Sequence, residues 1–292
     1  MRYEIILKID YSYAHTVSGG RHLLRVVPRS MPGMQDVRSL RLQLAPVPTS
    51  QLERRDFFGN LCQAIEYQTA HETFGVHLIA DVERTCHPCG ADRATPYHAL
   101  GQDLAAMQDL GPDSPLHFLA ASPRIRDLGP FRDFALALLR PGMTTGDVML
   151  AVSEAIRARM VFDDEATDVD TTPHDAFTKG RGVCQDYAHI MIACLRVLGI
   201  PAAYVSGFLR TIPPPGRERL PGSDAMHAWV RIWCGCNAGW QEYDPTNALA
   251  VGNDHVLVGY GRDYADVAPI RGVSRTAGSQ QGKHTVDVIP RT

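Results

Sequence analysis

The sequence has 292 residues, 45% of them hydrophobic and 21% charged, with a formal net charge of −3; this is ordinary globular composition, about two domains in length, and it excludes disorder and collagen-like repeats. With 29 basic against 32 acidic residues and no Lys/Arg run, neither a broad nucleic-acid surface nor a polybasic membrane face is expected, and no apolar stretch approaches the ~18–20 residues that span a bilayer. Seven scattered cysteines and an N-terminus, Met1-Arg2-Tyr3-Glu4, without an apolar signal region point to reduced thiols and a cytoplasmic location.

From residue 1 to about 85 the pattern is that of an antiparallel β domain. Tyr3, Ile5, Leu7 and Ile9 alternate with Glu4, Ile6, Lys8 and Asp10, the period of a strand with one buried face. Leu23 to Val27 follow the Gly19-Gly20 turn signal, and Leu40, Leu42 and Leu44 alternate with Arg41 and Gln43. Ala64–Tyr67 and Val76–Ala80 add two short strands, and Gly59-Asn60 suits a hairpin. This spacing predicts a sandwich or barrel, acting as a folding or substrate-flanking module.

Residues 86–122 are Pro-punctuated and read as a connecting segment, and residues 123–292 read as an α+β catalytic domain. Helical periodicity begins near Arg124, with Phe131, Phe134, Ala135, Leu138 and Leu139 in one stripe that stops at Pro141-Gly142. Val148, Val152, Ala155, Ile156 and Met160 form a second stripe, with Thr145 as its cap. A third helix starts near Cys184, and strands return from Ala202.

The sharpest segment is Gly180-Arg181-Gly182-Val183-Cys184-Gln185-Asp186-Tyr187-Ala188-His189. Two glycines permit a tight backbone approach just before a helix. Cys184, Ala188, Met191, Ile192, Leu195 and Leu198 then fall at helical spacing up to Gly199 and Pro201. Cys184 therefore sits in a helical first turn, where free N–H groups and the macrodipole favour thiolate and can hold an oxyanion. The blander reading is a small buried hydrophobe, as most free cysteines are. A thiolate needs a base. His189 lies ~140° round the helix and more than a turn away, so it packs or hydrogen-bonds instead. His227 opens an alternating strand, with Trp229, Arg231 and Trp233 on its face and Ala228, Val230 and Ile232 on the other; such an imidazole is either a general base or a satisfied sheet histidine. The orienting carboxylate comes from Trp240-Gln241-Glu242-Tyr243-Asp244-Pro245. Glu242 and Asp244 share a face, so periodicity leaves both open.

Together these motifs resemble a known family. Gly182 to His189, then His227-Ala228-Trp229, then Tyr243-Asp244-Pro245-Thr246-Asn247 resemble in type and order the bacterial transglutaminase-like proteins, within the papain-like cysteine protease and transglutaminase superfamily. The later Gly261–Pro269 segment, with its Arg262-Asp263-Tyr264 motif, and the strand-rich N-terminal part are similar to the same branch. The resemblance implies an N-terminal β domain followed by a core whose nucleophile opens a helix packed on an antiparallel sheet. It implies a triad of Cys184 as nucleophile, His227 as base and acid, and Asp244, in preference to Glu242, as orienter of the imidazole. The expected activity is cysteine-dependent hydrolysis of an amide in a peptide, protein or small molecule. The alternatives are a protein-glutamine transamidase or deamidase and a catalytically silent binding module. Many relatives use a side-chain oxyanion donor, which no residue here identifies, because all three tryptophans follow Cys184.

No cofactor is implied, since P-loop, dinucleotide and HExxH patterns are absent. Cys86-x-x-Cys89 and Cys234-x-Cys236 would suit a structural zinc, but the pairs lie far apart, and free thiols are the simpler reading. Calcium is not implied, because closely spaced carboxylates of the necessary pattern are lacking. Cys194 falls ~280° round the helix from Cys184 and is a packing residue. The loop from Thr211 to Ser223 leads into the His227 strand and either borders the substrate cleft or is a plain solvated connection.

Overall fold

A computed structural model describes residues 1–86, 93–212 and 219–291. In chain order its elements are β1 (Arg2–Val17), β2 (Gly20–Leu24), β3 (Gln35–Ala45), β4 (Ser50–Arg55), β5 (Leu61–Tyr67), β6 (His71–Arg84), α1 (Leu100–Ala105), α2 (Arg132–Leu136) and α3 (Thr145–Arg159). There follow β7 (Val161–Phe162), α4 (Pro173–Lys179), β8 (Arg181–Gly182), α5 (Cys184–Val197), β9 (Ala202–Leu209), β10 (Ala225–Trp233), β11 (Trp240–Asp244), β12 (Leu249–Ala250), β13 (His255–Gly261), α6 (Tyr264–Val267), β14 (Ile270–Ser274) and β15 (Gln280–Arg291).

The alternation read in β1 is the one that folds: Tyr3, Ile5, Leu7 and Ile9 are buried while Lys8 and Asp10 are exposed. Two four-stranded sheets, ordered β15-β1-β6-β3 and β14-β2-β5-β4, enclose this core, so the expected antiparallel β part is a sandwich. Both sheets are completed by strands from the far end of the chain, β15 on β1 and β14 on β2. The expected unit 123–292 therefore contributes its last strands to the N-terminal sheets. Val286 and Val288 enter the same core.

The second body has α5 at its centre and a five-stranded sheet ordered β12-β11-β10-β9-β13. Ile190 to Leu195 are all fully buried, as in a helix enclosed on every side. Arg196, at its last turn, donates to the carbonyls of Ala202, Ala120 and Arg262, tying the helix to β9 and to two loops. The α+β fold thus matches the expectation. Two local details differ. The stripe from Phe131 to Leu139 yields only the short α2 after a 3-10 turn, because Pro130 and Pro141 bracket it. α3 is capped by Thr144, whose hydroxyl accepts from Asp147 N while the Asp147 carboxylate accepts from Thr144 N. Thr145, the expected cap, donates instead to the carbonyls of Thr95 and Cys234. Among the described residues, no helix is long and apolar enough to cross a membrane.

Candidate active site

The two glycines before Cys184 act differently. Gly180 stops α4 in the left-handed region, φ 67°, where a side chain would be strained. At Gly182 a Cβ would fall 2.4 Å from Asp186 Oδ2. The close approach lets Asp186 accept from Val183 N at 2.8 Å and from the Thr167 hydroxyl at 2.6 Å, which anchors the turn that opens α5. Cys184 is the first residue of the helix and half-buried. Its N–H has no carbonyl one turn earlier to donate to.

The sheet brings the other two predicted residues to that turn. β10 starts beside β9, with His227 opposite Gly207. A Cβ at Gly207 would fall 2.3 Å from the Trp229 ring, so glycine there lets Trp229 lie across β9 behind the imidazole. His227 donates from Nε2 to Asp244 Oδ2 at 2.7 Å, and it lines the same pocket as Cys184, whose sulfur is near enough to raise its pKa. Glu242 goes elsewhere: it accepts from Trp229 Nε1 at 2.8 Å and from the Tyr260 hydroxyl at 2.9 Å.

Asp244 is fully buried and its carboxylate is saturated. Oδ2 accepts from His227, from Asn247 Nδ2 at 2.7 Å and from His255 Nε2 at 3.1 Å. Oδ1 accepts from the backbone N–H groups of Thr246 and Asn247. Burial alone would raise this carboxyl, but the bonds from His227, His255 and Asn247 hold it well below the usual carboxylate range. His227 shows the complementary balance. Burial pulls it down, and the bond to Asp244 and then the neighbouring Cys184 sulfur overcome that and push it up to about 10.

These shifts set a pH dependence for stability. A histidine raised to about 10 when folded, against ~6.5 unfolded, contributes fully below ~6.5 and loses that contribution as pH rises through about 10. The depressed Asp244 carboxyl contributes above ~3.9 and loses its share as pH falls below it. The melting-temperature gap between wild type and His227→Ala is therefore expected to be widest between pH ~4 and ~6.5 and to narrow toward pH 10. A gap that widens from pH 7 to 10 contradicts this assignment.

His255 is the residue that sequence reading missed. It lies on β13, is 3% exposed, takes an N–H from Gly252 at Nδ1 and joins His227 on one carboxylate oxygen. The ligand atoms of His227, Asp244 and His255 lie within 4.8 Å of one another, a metal-like cluster among the described residues. Its facing atoms are already matched as two N–H donors and one acceptor, and a metal would need those nitrogens unprotonated. The zinc alternative depended on Cys89, which lies outside the described residues; Cys86 donates from Sγ to Val251 O, and Cys234 and Cys236 join no metal-like cluster among the described residues. Cys194 is fully buried in the core, as its helical position required.

Cys184, Gln185, Tyr204, Ser206 and His227 line a pocket of about 300 Å³, whose opposite wall comes from the N-terminal sandwich through Ile9, Tyr11 and His284. Tyr11, Tyr264 and Ile270 also border a groove of about 1030 Å³. The Arg262-Asp263-Tyr264 motif has a physical account here. Asp263 caps α6 through Ala265 N and accepts from Arg124 N, Arg262 pairs with Asp266, and Tyr264 is placed in the pocket wall. His189 holds the motif from the other side. Its Nε2 accepts from Tyr264 N at 3.2 Å, and burial pulls it down to about 4, so it stays neutral. The loop before β10 is described only at its ends, where Arg219 pairs with Asp224 and Asp287.

The Transglutaminase-like superfamily profile matches residues 132–245, and that of the Bacterial transglutaminase-like N-terminal region matches residues 3–83. An uncharacterized protein of Mycobacterium tuberculosis is 31% identical over 99% of this chain and 93% of its own length. A Protein-glutamine gamma-glutamyltransferase of Pseudomonas aeruginosa is 33% identical over 114 residues, 36% of this chain and 17% of that protein. A solved structure from Cytophaga hutchinsonii, provisionally named a cysteine protease, superposes with a TM-score of 0.74 at 21% identity, over 100% of this chain and 92% of that one.

Proposed function

Because this chain belongs to the transglutaminase-like superfamily, we propose that it is a cysteine-dependent hydrolase of amide bonds, with Cys184 as nucleophile, His227 as base and acid, and Asp244 as orienter of the imidazole. The observation that carries this reading is one grouping: His227 is bonded to the buried Asp244 carboxylate and shares with Cys184, whose sulfur raises its pKa, the lining of an open pocket.

The chemistry follows from those contacts. Cys184 passes its proton to His227, and the buried carboxylate stabilises the imidazolium that results. The thiolate adds to the carbonyl carbon, and the oxyanion is met by the free N–H of Cys184 at the start of α5. His227 then protonates the departing amine, leaving a thioester. Water attacks next with His227 as base, releasing the acid and restoring the thiol. The groove that continues from the pocket suits a peptide or protein chain, with a small amide as the minimal substrate. The scattered cysteines of the sequence suit reduced thiols, and on that ground we place the protein in a reducing compartment, the cytoplasm.

The relative named Protein-glutamine gamma-glutamyltransferase favours a second reading, in which an amine rather than water resolves the thioester. One assay separates the readings. With p-nitrophenyl acetate, the enzyme is expected to release a burst of one nitrophenolate per site and to carry acetyl on Cys184, located by peptide mapping. Acceleration of the following steady phase by added glycinamide marks amine transfer, and indifference to it marks hydrolysis. No burst and no acetyl on Cys184 would leave only the silent binding module.

A further inference from the structure

The backbone N–H of Cys184 is a single oxyanion donor, and the same pocket is lined by further polar side chains. Tyr204 and Ser206 stand two residues apart on β9, hence on one face of the strand, and both line the pocket into which Cys184 opens. Tyr204 is 3% exposed. Its ring is held 5.1 Å from the His189 ring and 6.3 Å from that of Tyr264. Those contacts fix the ring, and the hydroxyl makes no hydrogen bond among the described residues while keeping some surface open to the pocket. By contrast, the buried Tyr3, Tyr67 and Tyr260 and the half-buried Tyr97 each donate the hydroxyl to a protein oxygen. Among the described residues, Tyr13, Tyr187 and Tyr243 also make no hydroxyl hydrogen bond, but they are not part of the pocket wall.

A hydroxyl on a fixed ring, with no protein acceptor and open to the pocket, is a donor free to meet a group bound there. Burial and then the neighbouring Cys184 sulfur raise its pKa well above the ordinary phenol value, so it remains a donor throughout. We propose that Tyr204 Oη is the side-chain donor of the oxyanion hole, acting with the Cys184 N–H on the tetrahedral intermediate. As the thiolate adds to the carbonyl carbon, the C=O electron pair moves to oxygen, which accepts from both groups. The phenol keeps its proton, and the intermediate collapses to the thioester when His227 protonates the leaving group.

This inference rests on the triad reading, and its test separates the two. Acyl transfer from p-nitrophenyl acetate passes through an oxyanion, whereas displacement of iodide from iodoacetamide by the same sulfur does not. Tyr204→Phe is expected to slow the nitrophenolate burst on the order of 10²-fold, the usual loss for one oxyanion donor, while Cys184 is alkylated at the wild-type rate. Its melting temperature should change little, since the hydroxyl makes no protein hydrogen bond that the variant would lose. An unchanged burst overturns the proposal, as does a parallel fall in burst and alkylation, which marks a packing role. Loss of the burst in Ser206→Ala instead would move the donor two residues along β9. Wild type that neither alkylates rapidly at Cys184 nor gives a burst refutes the triad itself.

Discussion

Cys184→Ala is expected to abolish the nitrophenolate burst and all acyl-enzyme formation while changing the melting temperature little. The loss is complete because no other described thiol can substitute. Cys194, ten residues along α5, is fully buried, and burial pushes its thiol far up. Removing one member of such a unit typically costs 10⁴-fold or more. The stability effect is small because Cys184 is half-buried at the mouth of a pocket, where truncation leaves no sealed cavity. The measurements are stopped-flow absorbance for the burst and calorimetry for unfolding. A variant that keeps the wild-type burst contradicts the mechanism; one that unfolds near room temperature contradicts the account of how α5 is held.

Asp244→Asn is expected to do the reverse, damaging both fold and chemistry. The carboxylate meets five N–H donors and nothing else. An amide in its place turns one oxygen into NH₂, so donor faces donor in a site with no water access. Leaving a buried group unmatched costs ~1–3 kcal/mol, and more where charge is involved. His227 also loses the anion that holds its pKa at about 10, so the thiolate–imidazolium pair is weakened together with the tautomer. Acyl transfer is expected to fall ~10³–10⁴-fold, as when a triad histidine loses its carboxylate. Urea unfolding and burst kinetics on one preparation check both effects. A variant as stable and as active as wild type would remove Asp244 from the account.

What the sequence made legible was what local pattern encodes. The alternation in Tyr3–Ile9 gave the sandwich face, and the Gly182–His189 motif placed Cys184 on the first turn of a helix. β4 was invisible because Ser50–Arg55 is exposed throughout, so no apolar period marks it. β14 and β15 escaped for another reason: they pair with β2 and β1 across more than 200 residues, and partnership over that distance leaves no local trace. The candidate site divides the same way. Glu242 and Asp244 share a strand face, so only the register of β11 on β10 and the loop that follows distinguish them. His255 and Tyr204 sit in almost wholly apolar strands, where a single polar residue reads as packing. Only the order β10-β9-β13 places them beside His227 and Cys184.

The central claim is that Cys184 and His227 form a charged pair. It is tested most directly by the alkylation rate of every cysteine against pH, by peptide-mapping mass spectrometry, in wild type and His227→Ala. The account predicts that Cys184 alone reacts rapidly at pH 6, where an isolated thiol of pKa ~8.5 is almost wholly protonated, and that His227→Ala abolishes the advantage. Cys184 reacting like an ordinary thiol, or equally fast without His227, would contradict it.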